Sequence, residues 1–212
     1  MKILKRLWPV VLMIVAYVGV AFLSSVVSVS MRNRDMFLLL IIVSLGALAL
    51  FIRIGNRYRI ELFNLKTLTW KTVGLSIGIF FLSRFGMTFL IDILPQETFK
   101  NQDSIEQMFR MSNVWWAFIA IVIVGPIIEE VFFRRVLIMY LFEEYAWVGL
   151  ILSTVLFSLA HGATTLTEFV VYGYMGLIFG ITYMLTKSLE CAILVHMLNN
   201  VLSFSVMAGW IR

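Results

Sequence analysis

Charge is scarce in this chain, and so is cysteine. Of 212 residues only 14% are Asp, Glu, Lys or Arg, whereas 61% are hydrophobic and the mean hydropathy is +0.97. Soluble domains hold roughly 45–50% apolar residues, so a soluble globular domain is excluded and a polytopic membrane protein is expected. The single cysteine, Cys191, rules out an intrachain disulfide and reads as a small apolar residue near a helix start. No repeat of fixed period and no low-complexity tract is present, which sets aside solenoids and disordered tails. The net charge of +5 is not gathered into a soluble basic patch with aromatics, so nucleic acid is not an expected partner.

What is there is a series of apolar runs. A bilayer core of about 30 Å needs roughly 20 such residues per crossing, and runs fall near 8–29, 36–52, 73–94, 113–142, 146–163, 169–186 and 191–211. The expected fold is all-α: one transmembrane helical bundle over 1–212 with about seven spans, six to eight being compatible. Lys2, Lys5 and Arg6 precede the first run, and Arg53, Arg57, Arg59, Lys66 and Lys71 lie in the 53–72 connection. Arg32 and Arg34 are offset by Asp35. The positive-inside rule then places the N-terminus and the 53–72 connection in the cytoplasm of a multi-pass cell-membrane protein. The first run resembles a secretory signal, with small residues from Ser24 to Ser30, but its length and the spans that follow favour a retained helix.

The longest polar interruption outside that basic connection is 95–113. Asp103 and Glu106 have the spacing of a helix cap and its reciprocal partner, with Ile105, Met108 and Phe109 on one face. A short helix on the membrane surface is expected, either a connector or a gate for lateral entry. Before this interruption, spans 1–94 carry little polar material beyond serines, Arg84 and Asp92. Arg84 is nearer mid-span and calls for an ion pair with another helix or a water-filled cavity; Asp92 lies close enough to the end to reach water.

The C-terminal half differs. GPIIEEVFFRRVLI, residues 125–138, puts Glu129, Glu130, Arg134 and Arg135 inside an apolar run, where each charge costs at least about 2.5–3.5 kcal/mol at the bilayer centre unless paired, hydrated or used. Gly125 and Pro126 suggest a break followed by a first helical turn. Glu130 and Arg134 are four apart, carboxylate first, the favourable order for a helical pair. Glu129 lies about 100° around the helix with Phe132 and Phe133 for neighbours, which suits it to take a proton from water. The competing reading is a salt-bridge lattice among all four charges.

Both histidines also lie in apolar runs. His161 follows Phe157 by four residues and His196 precedes Asn200 by four, so each pair shares a helix face. A hairpin turning near Glu144 and Tyr145 brings Glu129 and Glu130 level with His161. The same count about a turn near Lys187 to Glu190 leaves His196 shallower by roughly 8 Å; a tilt, a kink at Gly162 or a shorter sixth span would be needed to close the gap. Converged, these groups form a site for amide hydrolysis, in which Glu and His activate one water and His and Asn donate to an oxyanion.

The series Glu129-Glu130-x3-Arg134, Phe157-x3-His161 and His196-x3-Asn200 resembles the three-motif signature of the CAAX prenyl protease and bacteriocin-processing (Abi) family, over about 113–205. The resemblance implies an intramembrane glutamate endopeptidase in which 113–205 is the catalytic core and 1–94 supplies accessory spans. Glu129 and His161 would activate water, His196 and Asn200 would form the oxyanion hole, and Glu130, Arg134 and Phe157 would support them. It implies no metal or other cofactor. Its partners would be the lipid bilayer and a peptide or protein substrate, with bacteriocin, leader or signalling peptides, or bacteriocin self-immunity, favoured by the small size. Arg135 stands where many members have glycine; a bulky charge there would narrow the approach or bind an acidic group or lipid phosphate.

Three rivals are defined by what they need. Zinc would draw its ligands from three separate helices, as no His-Glu-x-x-His is present. A proton-coupled transporter would use the Glu and His residues as a relay, but inverted repeats are missing. A non-catalytic immunity or binding protein would keep the same residues without turnover.

Overall fold

The computed structural model describes residues 6–19, 36–95, 99, 103, 105, 106, 109, 110 and 113–211. Among them there is no strand, and seven helical runs follow one another: α1 Arg6–Gly19, α2 Met36–Tyr58, α3 Trp70–Ile93, α4 Val114–Leu141, α5 Ala146–Ala160, α6 Leu166–Thr186 and α7 Leu189–Met207. Six runs are long and apolar enough to cross a membrane, α5 when taken with its lead-in as Glu143–Ala160; α1 is shorter in its described part. The bundle of about seven helices is thus as expected, and the protein is a multi-pass membrane protein. The small residues from Ser24 to Ser30, the Arg32 to Asp35 connection, and Lys2 and Lys5 lie outside the described residues.

Local chemistry sets the ends. Thr69 caps α3 and Thr165 caps α6, each in a reciprocal box with the residue three further on, Thr72 and Glu168. The Ser188 hydroxyl accepts the Cys191 N–H at the start of α7. Lys187 at φ 53° reverses the chain between α6 and α7, and Arg59 at φ 58° ends α2. The expected 53–72 connection therefore begins later than the charge pattern suggests. Arg53 and Arg57 lie on the exposed face of the last turns of α2, where long basic side chains reach the interface without breaking the helix.

Two expectations fail here. No break separates Gly125 from the preceding run: Val124 and Gly125 both have right-handed helical dihedrals, and the Gly125 N–H reaches back five residues to Ala120 O. Residues 119–124 and 131–141 are wound in this wider π register, so Pro126 is absorbed by a change of winding rather than by a new helix start. Asp103 is itself helical rather than a cap ahead of a helix, and its N–H bonds Phe99 O at 2.9 Å.

α5 packs against α6 and the second half of α4, while α7 lies against α3, α4 and α6. Phe133, Phe157, Phe179 and Tyr183 are buried between them. The outer face of α3 exposes Phe81, Leu82, Phe85 and Phe89, a lipid-facing stripe. Trp70 and Trp147 open α3 and α5 at one end of the bundle, and Trp115 and Trp210 pair near the start of α4 and the end of α7 at the other, the arrangement of two interfacial belts.

A close crossing joins α4 to α5 at Gly149, where a Cβ would stand 2.9 Å from Phe142 Cβ and 3.0 Å from the Ile138 backbone. Gly149→Ala is expected to destabilise the protein by about 1–3 kcal/mol through overpacking, read as a lower Tm in detergent. Gly74→Ala, with nothing within 4 Å, is expected to leave Tm unchanged or raise it.

Candidate active site

The site is built outward from a buried charge pair on α4. Arg134 Nε lies 3.0 Å from Glu130 Oε2, and both side chains are completely buried. Arg134 Nη2 donates to Gly176 O on α6 at 2.8 Å. Its guanidinium sits 4.9 Å from the centre of the Phe157 ring, 5.6 Å from Phe179 and 5.7 Å from Phe133. Three aromatic faces and one carboxylate stand in for part of the water that this cation would otherwise have, while Nη1 is buried without a hydrogen-bond partner among the described residues. Gly176 permits the approach, since a Cβ there would meet the Phe157 ring at 3.2 Å.

The other Glu130 oxygen holds a histidine. His196 Nδ1 is 2.8 Å from Glu130 Oε1, and its ring stacks on Phe179 at 4.3 Å. His161, at the end of α5, has Nδ1 2.9 Å from Phe157 O and its ring between Phe157 and Tyr172, at 4.3 and 4.8 Å. A carbonyl only accepts, so His161 Nδ1 carries the proton and Nε2 presents a lone pair. Both Nε2 atoms face Glu129 Oε2, His161 at 3.8 Å and His196 at 3.9 Å. These separations exceed a hydrogen bond but suit one water oxygen touching all three.

Asn200 Nδ2 donates to Ile121 O at 2.9 Å. That carbonyl is free because of Pro126: in the register set by Gly125 and Ala120 the next donor would be the nitrogen of residue 126, which bears no hydrogen. The proline thus positions the asparagine through a missing backbone bond.

Glu129, His161, His196 and Asn200 all line one cavity of about 310 Å³, with Tyr17, Tyr172, Met175 and Asn199 in its wall and Ile105 and Met207 at its edge. Phe157 also lines it, whereas Glu130 and Arg134 do not. Among the described residues no group of three His, Cys, Asp or Glu side chains is arranged to hold a metal ion. The expected depth gap at His196 is closed because the two turns are not level. Arg135 on α4 bonds Tyr183 OH at 3.0 Å and Glu61 O, while Glu190 accepts from Asn64 N at 2.6 Å. Tyr183 lies four residues before Lys187 and Arg135 eight before Glu143, so the α6–α7 turn falls short of the 143–145 turn.

Two further corrections concern arginines. Arg135 does not narrow the cavity; it points away from Glu129 into a separate depression shared with Arg6, Glu61 and Glu143. Arg84 makes no ion pair among the described residues but donates to Asn199 Oδ1 at 3.1 Å. Asp92 is exposed. The spacing argument missed Tyr172 and Phe179, which lie seven residues, or two turns, apart on α6 and stack on the two imidazoles; Tyr17 of α1 and Asn199 carried no comparable signal.

Residues 111–202 match the family model for the type II CAAX prenyl endopeptidase, Rce1-like. The matched stretch is less than half of the chain. Among curated proteins, the chain is 30% identical over 112 residues to the membrane-embedded CAAX protease MroQ of Staphylococcus aureus, covering 50% of this chain and 44% of that protein. It is 36% identical over 80 residues to the putative membrane peptidase YdiL of Bacillus subtilis, covering 37% of this chain and 32% of that one. It is also 37% identical over 83 residues to the UPF0177 protein YbdI of Lactococcus lactis, covering 39% and 44% respectively. Each match spans less than half the length of the relative. No solved structure matches the chain.

Arg134→Met strips buried Glu130 of its guanidinium and leaves it only the His196 imidazole, and a loss of about 3–5 kcal/mol is expected, measured as thermal unfolding in detergent. The double replacement Glu130→Leu/Arg134→Met is expected to recover only part of that stability, because the two apolar side chains need no partners but His196 Nδ1 loses its own.

Proposed function

We propose that the protein is an intramembrane endopeptidase that hydrolyses peptide bonds of membrane-associated precursors without a metal ion, with 113–205 as its catalytic core and 1–94 as accessory spans. The observation that carries the proposal is the convergence of Glu129 Oε2 with both imidazole Nε2 atoms, within 3.9 Å, on a cavity that Asn200 also lines. The match of 111–202 to the Rce1-like family model supports it.

In this reading a water between Glu129 and His161 gives up a proton as its oxygen attacks the substrate carbonyl. His161 Nε2 has the free lone pair for it, and the Glu129 carboxylate orients the water and stabilises the resulting charge. The carbonyl oxygen, now an oxyanion, is received by His196 Nε2–H and the second N–H of Asn200, whose first is committed to Ile121. His196 donates there when both its nitrogens carry protons; Glu130, held by Arg134, is the counter-charge at Nδ1. The proton taken from water is then delivered to the leaving amine, the C–N bond breaks, and an acid and an amine product result. Phe157 serves twice, through its carbonyl on His161 and its ring on Arg134.

The proposed substrates are bacterial leader, bacteriocin or signalling peptides, a choice favoured by the three bacterial relatives. The basic ends of α1 and α2 favour a cytoplasmic N-terminus.

The experiment compares wild type with Glu129→Gln, both purified in detergent and matched for Tm, on acylated fluorogenic precursor peptides. Cleavage is expected to fall by at least about a hundredfold in the variant and to be indifferent to chelator in the wild type. Equal cleavage by the two proteins removes Glu129 from the mechanism, and loss with chelator that metal restores replaces this reading with the zinc one.

A further inference from the structure

The cavity wall contains a second asparagine amide that the reaction does not use. Asn199 lies three residues after His196, on the same side of α7, and borders the cavity. Its Oδ1 accepts from Arg84 Nη1 of α3 at 3.1 Å. Arginine has donors only, so the atom facing it must be the amide oxygen, and the orientation of the amide is fixed by chemistry. The amino group is thereby turned toward the cavity, where it meets Met175 Sδ at 3.3 Å.

A thioether is a weak acceptor, so this donor is poorly satisfied and readily transferred to a better one. A peptide drawn out of helical form to reach the site brings such acceptors, because its backbone carbonyls have no water to bond within the bilayer. Arg84 itself lies mid-span and half-buried, and among the described residues no carboxylate pairs with it. The cost of placing a guanidinium there is matched by a role in holding a neighbouring polar group.

We infer that Asn199 binds substrate by donating its Nδ2–H to a backbone carbonyl of the peptide next to the scissile bond, and that Arg84 is a positioning residue that sets the direction of that amide. This rests on the endopeptidase reading above. It gives α3, otherwise mostly lipid-facing, a part in recognition. Because a backbone carbonyl is present in every peptide, the contact holds the chain in register rather than selecting a side chain.

The test uses Asn199→Asp, which keeps an oxygen for Arg84 and removes the donor. In detergent, on a mixture of acylated fluorogenic peptides with a randomised core, the variant is expected to keep or raise the wild-type Tm while kcat/KM falls about tenfold, mainly through KM. Arg84→Met is expected to cause a similar fall in the wild type and almost none in the Asn199→Asp background, and Arg84→Lys to restore part of it. Wild-type kcat/KM in Asn199→Asp overturns the donor assignment. A fall from Arg84→Met that is undiminished in the Asn199→Asp background overturns the positioning role. Glu129→Gln, run alongside, separates the two readings: its normal cleavage would remove the assigned chemistry, whereas its failure together with an unaffected Asn199→Asp would remove only this inference.

Discussion

A guanidinium buried in an apolar bundle has to be compensated on every side, and the structure around the cavity is largely what compensates Arg134. Its charge is met by Glu130, one donor by the Gly176 carbonyl, and its faces by Phe133, Phe157 and Phe179. These five partners are drawn from three helices, α4, α5 and α6. Glu130 passes the constraint to α7 by fixing His196, and Phe157 passes it to the end of α5 by fixing His161. One ion pair thereby determines where both imidazoles point.

The pairing at the centre was legible because it is local. Glu130 and Arg134 are separated by one helical turn, and Phe157 with His161 and His196 with Asn200 repeat that interval, so period alone places them. What spacing could not supply were contacts set by the relative height of helices. His196 looked too shallow because a residue count treats successive turns as level, whereas Arg135 fixes α6 to the flank of α4 at Tyr183 and Glu190 fixes the α6–α7 turn to the connection at Asn64 and Thr67. Arg84 looked like half of an ion pair because its partner, Asn199, is uncharged and 115 residues away.

Gly125 and Pro126 show a different limit. Read as residues they signal a helix start; in the bundle they sit inside a continuous run whose winding changes. Wider π turns are uncommon and gather at functional sites, and here the wider register is what leaves Ile121 O for Asn200. A sequence signal for interruption was real, but the interruption was spent on one carbonyl rather than on the whole helix.

The locality of the Glu130–Arg134 pair also bears on how the protein enters the membrane. A lone arginine and a lone glutamate on separate helices would each have to be inserted as a bare charge and wait for the other. Placed four residues apart on α4, they can neutralise one another as soon as that helix forms, before α5, α6 and α7 have been synthesised. The span most heavily loaded with charge therefore carries its own counter-ion into the bilayer, and the later helices arrive to find an already neutral pair to enclose.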